Sequence, residues 1–186
     1  MPEAITPILS RWETFFFMVG SSGAALTGLV FVVITLANET RGPEGEKALG
    51  AFATPNIVHF CAVLLIAAIV CVPWTHLVAP SILFGAAGLS GVIYVAVVTR
   101  RTNQQTAYKP VFEDILWHIV FPFAAYLSLL GGAVFLPRRP VESMYAIAGS
   151  ALLLLFTGIH NAWDSVVYLA AMPSRGETGG AQSSAK

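Results

Sequence analysis

The chain has 186 residues, of which 56% are hydrophobic and only 11% are charged, and its formal net charge is zero. Soluble domains carry roughly a quarter charged residues, so this chain has too little polar surface to cover a globule in water. The neutral balance also argues against the basic face that binds nucleic acid. The composition therefore predicts one domain that lies in a lipid bilayer.

Five apolar segments follow one another along the chain, each long enough for a hydrocarbon core about 30 Å thick. Because lipid offers no partner for unpaired backbone groups, each segment is predicted to be a helix. The sequence thus predicts an all-α, five-transmembrane-helix bundle that forms a single domain over residues 1–172. The predicted spans are about 15–37, 52–74, 77–98, 112–136 and 145–171. Residues 173–186 are rich in glycine and serine and are predicted to be a disordered cytoplasmic tail.

The basic residues predict how the bundle sits in the membrane. If the chain crosses five times, three basic residues lie on the side of the N-terminus: Arg11, Arg138 and Arg139. Seven lie on the opposite side: Arg41, Lys47, Arg100, Arg101, Lys109, Arg175 and Lys186. Basic residues gather on the cytoplasmic side, so the N-terminus is predicted outside and the C-terminus inside the cell (inner) membrane. The longest connectors, 38–50 and 101–110, are then cytoplasmic.

The first span carries a stripe of small residues. Gly20, Ala24 and Gly28 recur at a spacing of four and lie on one face of the helix. Small residues let helices approach closely in lipid, so this stripe is expected to seat another span or a second protomer, and a homo-oligomer is expected. The segment FGAAGLSG at 84–91, in the third span, is the expected counterpart within the chain.

The segment GSSGAALTGLVFVVITLAN, residues 20–38 of the same span, resembles the opening helix of small bacterial multi-pass membrane proteins. The resemblance covers about one span. It implies a bacterial inner-membrane location, and it implies no activity.

Histidines and acids occur inside the spans, where ionisable side chains are costly and usually face protein or water. At 1.5 Å per residue, His59, His118 and His160 fall at a similar depth, about 6–10 Å from the cytoplasmic boundary. Asp114 and Asp164 are each four residues from a histidine, on the same helix face and one turn nearer the cytoplasm. If the three spans are neighbours, these side chains form two layers, with the acids on the cytoplasmic side of the histidines.

The leading hypothesis for this cluster is a metal site. Neutral imidazole is a versatile metal ligand, and a carboxylate can either ligate the metal or orient the imidazole. The cluster would bind a transition metal, or two of its histidines would hold a haem iron. The candidate metal ligands are His59, His118, His160, Asp114 and Asp164. Pro122 cannot donate to the His118 carbonyl and predicts a kink beside the cluster.

Two other functions stay open on the sequence alone. An oligomer could pass ions or protons through the polar residues of the spans. The candidate pathway residues are Asn56, Glu113, Asn161, Ser21, Ser22 and Thr27. Alternatively, the protein is a structural or accessory membrane subunit whose polar residues are only interfacial. An enzyme is less favoured, because the sequence contains no HExxH, GxSxG or phosphate-binding glycine loop.

Overall fold

A computed structural model describes residues 6–103 and 112–171, and within them the side chains of 8–36, 55–100, 113 and 115–167. The predicted tail 173–186 and most of the predicted connector 101–110 lie outside the described residues. Helix dominates the described ranges, and they contain no strand, which confirms the all-α prediction.

Within these ranges the chain forms six α-helices and one π-helix. They are α1 (Thr6–Ser10), α2 (Glu13–Cys71), α3 (Val78–Asn103), α4 (Phe112–Ile115), the π-helix (Leu116–Val120), α5 (Phe121–Phe135) and α6 (Pro140–Ala171). Four helical stretches are long and apolar enough to cross a membrane: Glu13–Leu36, Val78–Arg100, Leu116–Phe135 and Pro140–Val167. A further apolar stretch, Pro55–Cys71, is shorter.

Helix α2 folds back on itself. A Cβ atom placed on Gly20 would lie only 2.5 Å from the Ala67 Cβ. A straight helix would separate these two residues by about 70 Å, since each residue adds 1.5 Å. The chain therefore reverses direction between a first arm, Glu13–Leu36, and a second arm, Pro55–Cys71.

The two arms of α2 run antiparallel. Gly20 meets Ala67, whereas a Cβ on Gly23 would lie 3.2 Å from the Phe60 carbonyl oxygen, so numbers rise on one arm as they fall on the other. The connector 38–50, predicted as a loop, has a helical backbone. Its glycines, proline and charges are typical of a loop, and Pro43 has no N–H for a helical hydrogen bond, so local composition did not predict this backbone.

The glycine contact in the first arm follows a different row from the predicted stripe. Gly20 and Gly23, three residues apart, face the second arm. Ala24 and Gly28 are exposed, and a Cβ on Gly28 would meet no atom within 4 Å. Both rows lie on the same side of a helix, and packing of the second arm selects the i, i+3 row here.

Helix α3 packs on α5 through a second glycine-rich face. A Cβ on Gly88 would lie 2.8 Å from the Leu130 backbone nitrogen, and one on Gly91 would overlap the ring of Tyr126. The segment 84–91, expected to face the first span, therefore faces α5. Its glycines bring the two backbones close together.

Helix α6 lies between α2 and α5. It is the most buried of the four long stretches, with 56% of its apolar window inside the protein. The Trp12 and Tyr145 rings pack edge to face with centroids 5.0 Å apart, and a Cβ on Gly158 would lie 2.5 Å from the Phe60 ring. Because Phe60 also meets Gly23, α6 runs parallel to the first arm and antiparallel to the second.

Candidate functional site

A buried hydrogen bond joins the second arm of α2 to α5. His59 Nδ1 and the Tyr126 hydroxyl are 3.0 Å apart, and the two residues are only 2% and 1% exposed. A buried polar group without a partner costs about 1–3 kcal/mol of stability, and the hydrogen bond between His59 and Tyr126 avoids this cost for both groups. The Tyr126 ring occupies this position because Gly91 has no side chain to meet it. The Tyr94 ring packs edge-on against His59, with centroids 6.4 Å apart.

The π-helix precedes Pro122 and carries two aromatic residues of the site. The Phe121 N–H donates to the Leu116 carbonyl, five residues back, instead of the usual four. Pro122 has no N–H to donate to the His118 carbonyl, so the α-helical pattern cannot be completed at this point. The backbone disturbance predicted at this proline takes the form of a wider turn. That turn sets the directions of Trp117 and His118.

A second group of polar side chains lies at a more exposed edge of the bundle. His160 Nε2 is 3.2 Å from Asp164 Oδ2, and the two side chains are 26% and 54% exposed. The Trp117 ring stacks on the His160 ring with centroids 3.9 Å apart and planes tilted by 19°. The carboxylate and the indole together fix the orientation of this imidazole and tie the π-helix to α6.

Two contacts place the three histidines along the bundle. His118 follows Trp117, whose ring stacks on the His160 ring. His59 precedes Phe60, which meets Gly158 two residues before His160. The three helical segments that carry the histidines are in contact through α6. His59, His118 and His160 therefore all belong to one end of the bundle.

One of the two predicted carboxylates can be placed against a histidine. Asp164 is paired with His160, whereas the Asp114 side chain lies outside those described. Glu113, a candidate pathway residue, is exposed. The hydrogen-bond partner of His59 is the hydroxyl of Tyr126. Among the residues that the structure describes, no three His, Cys, Asp or Glu side chains are grouped so that they could hold a metal ion.

Three buried polar side chains lie beside the contact between Phe60 and Gly158. Asn56 Oδ1, Thr157 Oγ1 and both polar side-chain atoms of Asn161 have no protein partner. Asn56 lies four residues before Phe60, and Asn161 lies three residues after Gly158. On antiparallel helices these offsets bring the two amides to the same level on facing sides. We call this group of Asn56, Thr157 and Asn161 the junction. It can both donate hydrogen bonds to a small ligand and accept them from it.

The hydroxyls of the first arm behave differently. Ser22 Oγ donates to the Met18 carbonyl at 2.9 Å, and Thr27 Oγ1 donates to the Gly23 carbonyl at 2.8 Å. Ser21 is exposed. Two of the three candidate pathway hydroxyls thus satisfy their own helix, as Ser and Thr commonly do inside helices.

Sequence reasoning missed two members of the site, Tyr126 and Thr157. Tyr126 follows Pro122 by four residues, and Thr157 precedes the candidate pathway residue Asn161 by four. This spacing places each on the same helix face as its neighbour. That spacing is the only signal for them, because each is an unremarkable side chain in an apolar run. Comparison of the whole chain with protein-family models, with curated proteins and with solved structures finds no significant match.

Proposed function

We propose that this is an integral membrane protein that conducts protons, or another small cation, through the polar interior at one end of its bundle. The observation that carries the proposal is the buried pair of His59 and Tyr126. An ionisable side chain within an apolar bundle is expensive to keep there, and it commonly belongs to an ion or proton path.

The proposed topology has five spans in the inner membrane, with the N-terminus outside and the C-terminus in the cytoplasm. The second arm of α2 is the span that falls short by length, since Pro55–Cys71 covers about 25 Å at 1.5 Å per residue. Two observations support a full crossing. The helical backbone continues before Pro55, and this arm packs antiparallel on the first. The seven-to-three division of basic residues supports the orientation.

The proposed path runs from the exposed pair of His160 and Asp164, past His118, to His59 and Tyr126. Imidazole binds and releases protons on either ring nitrogen, and a tyrosine hydroxyl both donates and accepts hydrogen bonds. The exposure of these residues falls from 54% for the Asp164 side chain to 1% for Tyr126, so they form a series from surface to interior.

The unpaired amides near the path support a hydrated or cation-occupied junction. Asn56 and Asn161 are each 2% exposed and leave side-chain atoms without protein partners. Water bound between them would satisfy these atoms, whereas a small cation would bind only the two amide oxygens; either would link the path across the α2–α6 interface. The exposed small residues Ala24 and Gly28 of the first arm support association of several copies, as the proposed homo-oligomer requires.

A second candidate function is the binding of a transition metal or haem. It is favoured by the position of His59 and His118, imidazoles on two helical segments, at the same end of the bundle. Ligation would need a further donor, for which Asp114 is the candidate. Metal content and the visible absorption spectrum of purified protein test this function, and His118→Ala should remove any bound metal.

Proton flux into vesicles tests the leading proposal. Purified protein is reconstituted with a pH-sensitive dye inside, and a potassium gradient with valinomycin drives proton entry. We expect flux that His59→Gln lowers at least about tenfold. The matched control is His76→Gln, since His76 is exposed in the turn at the other end of the second arm. Folded His59→Gln protein with unchanged flux contradicts the proposal.

A further inference from the structure

A groove between α5 and α6 opens beside the turn that joins them, away from the histidines. Its volume is about 390 Å³. The side chains and glycines that define it are Ser128, Gly131 and Phe135 of α5, Arg139 of the turn, and Glu142 and Ser143 of α6.

One end of the groove is charged. Arg139 and Glu142 are exposed and line it together, so a cation and an anion face the same space. Ser143 adds a third polar group deeper in the wall. It is 3% exposed, and its Oγ has no protein partner. A buried hydroxyl without a partner is costly, which points to a polar ligand group at this place.

The rest of the groove is shaped by two adjacent glycines. A Cβ on Gly132 would lie 3.0 Å from Ile147 Cγ1, so Gly132 lets α5 and α6 close on each other. A Cβ on Gly131 would meet no atom within 4 Å, so Gly131 leaves the groove open. From Ser128 to Phe135 the groove follows α5 for about 10 Å, a length that accepts the first part of an acyl chain.

We infer that this groove binds a phospholipid with a zwitterionic, primary-amine headgroup, as in phosphatidylethanolamine. Arg139 would bind the phosphate, Glu142 the ammonium group, and Ser143 an ester or glycerol oxygen, while an acyl chain lies over Gly131. The paired charges favour this class of lipid. An anionic headgroup would meet the Glu142 carboxylate without a compensating ammonium, and a choline headgroup has no N–H to donate to it.

Native mass spectrometry of the delipidated protein in detergent tests this site. The protein is mixed with equal amounts of phosphatidylethanolamine, phosphatidylglycerol and phosphatidylcholine that carry the same acyl chains. We expect phosphatidylethanolamine to bind tightest. Arg139→Gln should weaken it about threefold to tenfold through loss of a charge-assisted hydrogen bond at an exposed position. Glu142→Gln should reduce its advantage over phosphatidylglycerol by a similar factor.

Filling the groove provides a test that does not depend on charge. Gly131→Leu should lower phosphatidylethanolamine binding about tenfold, because the added side chain occupies the acyl path. Ala86→Leu is the matched control, since Ala86 is exposed on α3 and does not line the groove. Unchanged lipid binding by folded Gly131→Leu protein would overturn the inference, and so would equal binding of the three lipids.

Two further outcomes would reassign the groove. Soluble phosphoethanolamine is then offered to the same protein without any lipid. If it binds as tightly as the intact lipid, the ligand is a soluble phosphate ester and the lipid assignment fails. If Gly131→Leu changes the oligomeric state while lipid binding is kept, the groove belongs to contact with a second copy.

Discussion

The His59 imidazole and the Tyr126 hydroxyl share a 3.0 Å hydrogen bond that ties the second arm of α2 directly to α5. Both helices also pack on α6. The bond therefore closes a triangle of three helices around two buried polar groups. Its strength bears both on the stability of the bundle and on any proton path through it.

Removing the Tyr126 hydroxyl measures how much this hydrogen bond contributes to the free energy of unfolding. Tyr126→Phe keeps the ring but leaves His59 Nδ1 without its partner, and we expect a loss of about 1–2 kcal/mol in the free energy of unfolding. Tyr145→Phe is the control, because Tyr145 is exposed. A double-mutant cycle with His59→Phe should give a coupling of about 0.5–1.5 kcal/mol, measured by unfolding in mixed micelles. Strictly additive losses would contradict a bond between the two groups.

The glycine behind Tyr126 gives a test of position. In Gly91→Ala, the new methyl group overlaps the Tyr126 ring, so the ring must move and the bond to His59 must lengthen. We expect a loss of about 1–3 kcal/mol on unfolding in the same micelles, as for other overpacked interiors.

The control for Gly91→Ala lies six residues earlier on α3. Gly85→Ala places its methyl 3.8 Å from the Ala133 Cβ, an ordinary contact. Both substitutions raise helix propensity equally, so the difference between them isolates the overlap with the ring. Equal stability of the two variants would mean that Tyr126 is not held against Gly91.

The helical class could be predicted from the sequence, because hydropathy depends on local composition alone. The similar depth of the three histidines in the membrane stays a prediction. The partner of His59 could not be predicted. Tyr126 reaches it only because Gly91 on a third helix leaves room, and such three-body packing has no sequence period. The contact row of the first arm was ambiguous for a similar reason: small residues occur at both three and four residues from Gly20, and only the neighbouring arm selects Gly23.

The reversal of α2 can be tested by cross-linking its two arms. Gly20→Cys with Ala67→Cys, in a chain in which the exposed Cys61 and Cys71 are replaced by serine, should form a disulfide within one protomer under mild oxidation. Loss of maleimide labelling without a dimer on a denaturing gel reports it. Gly28→Cys with Ala67→Cys should stay reduced, because Gly28 faces open space. Labelling of both pairs to the same extent would contradict the antiparallel arms.

The number of crossings can be read from the two ends of the chain. Five spans put the termini on opposite sides of the membrane, whereas four spans put them on the same side. We expect a green fluorescent protein fused to the C-terminus to fluoresce in the cytoplasm. An N-terminal epitope should then be cleaved by protease added to spheroplasts. Protection of that epitope would leave the second arm of α2 without a full crossing.

The π-helix at Leu116–Val120 holds one more residue than an α-helical turn would. The extra residue sets the rotation of the preceding segment about the helix axis. Deleting Ile119 would restore the ordinary register and rotate the preceding segment by about 100° about its axis. Trp117 would then turn away from His160. The number of residues in this turn, as well as their chemistry, therefore decides which neighbouring helix each aromatic side chain contacts. A one-residue change in length could thus redirect the site while every polar group remained in the chain.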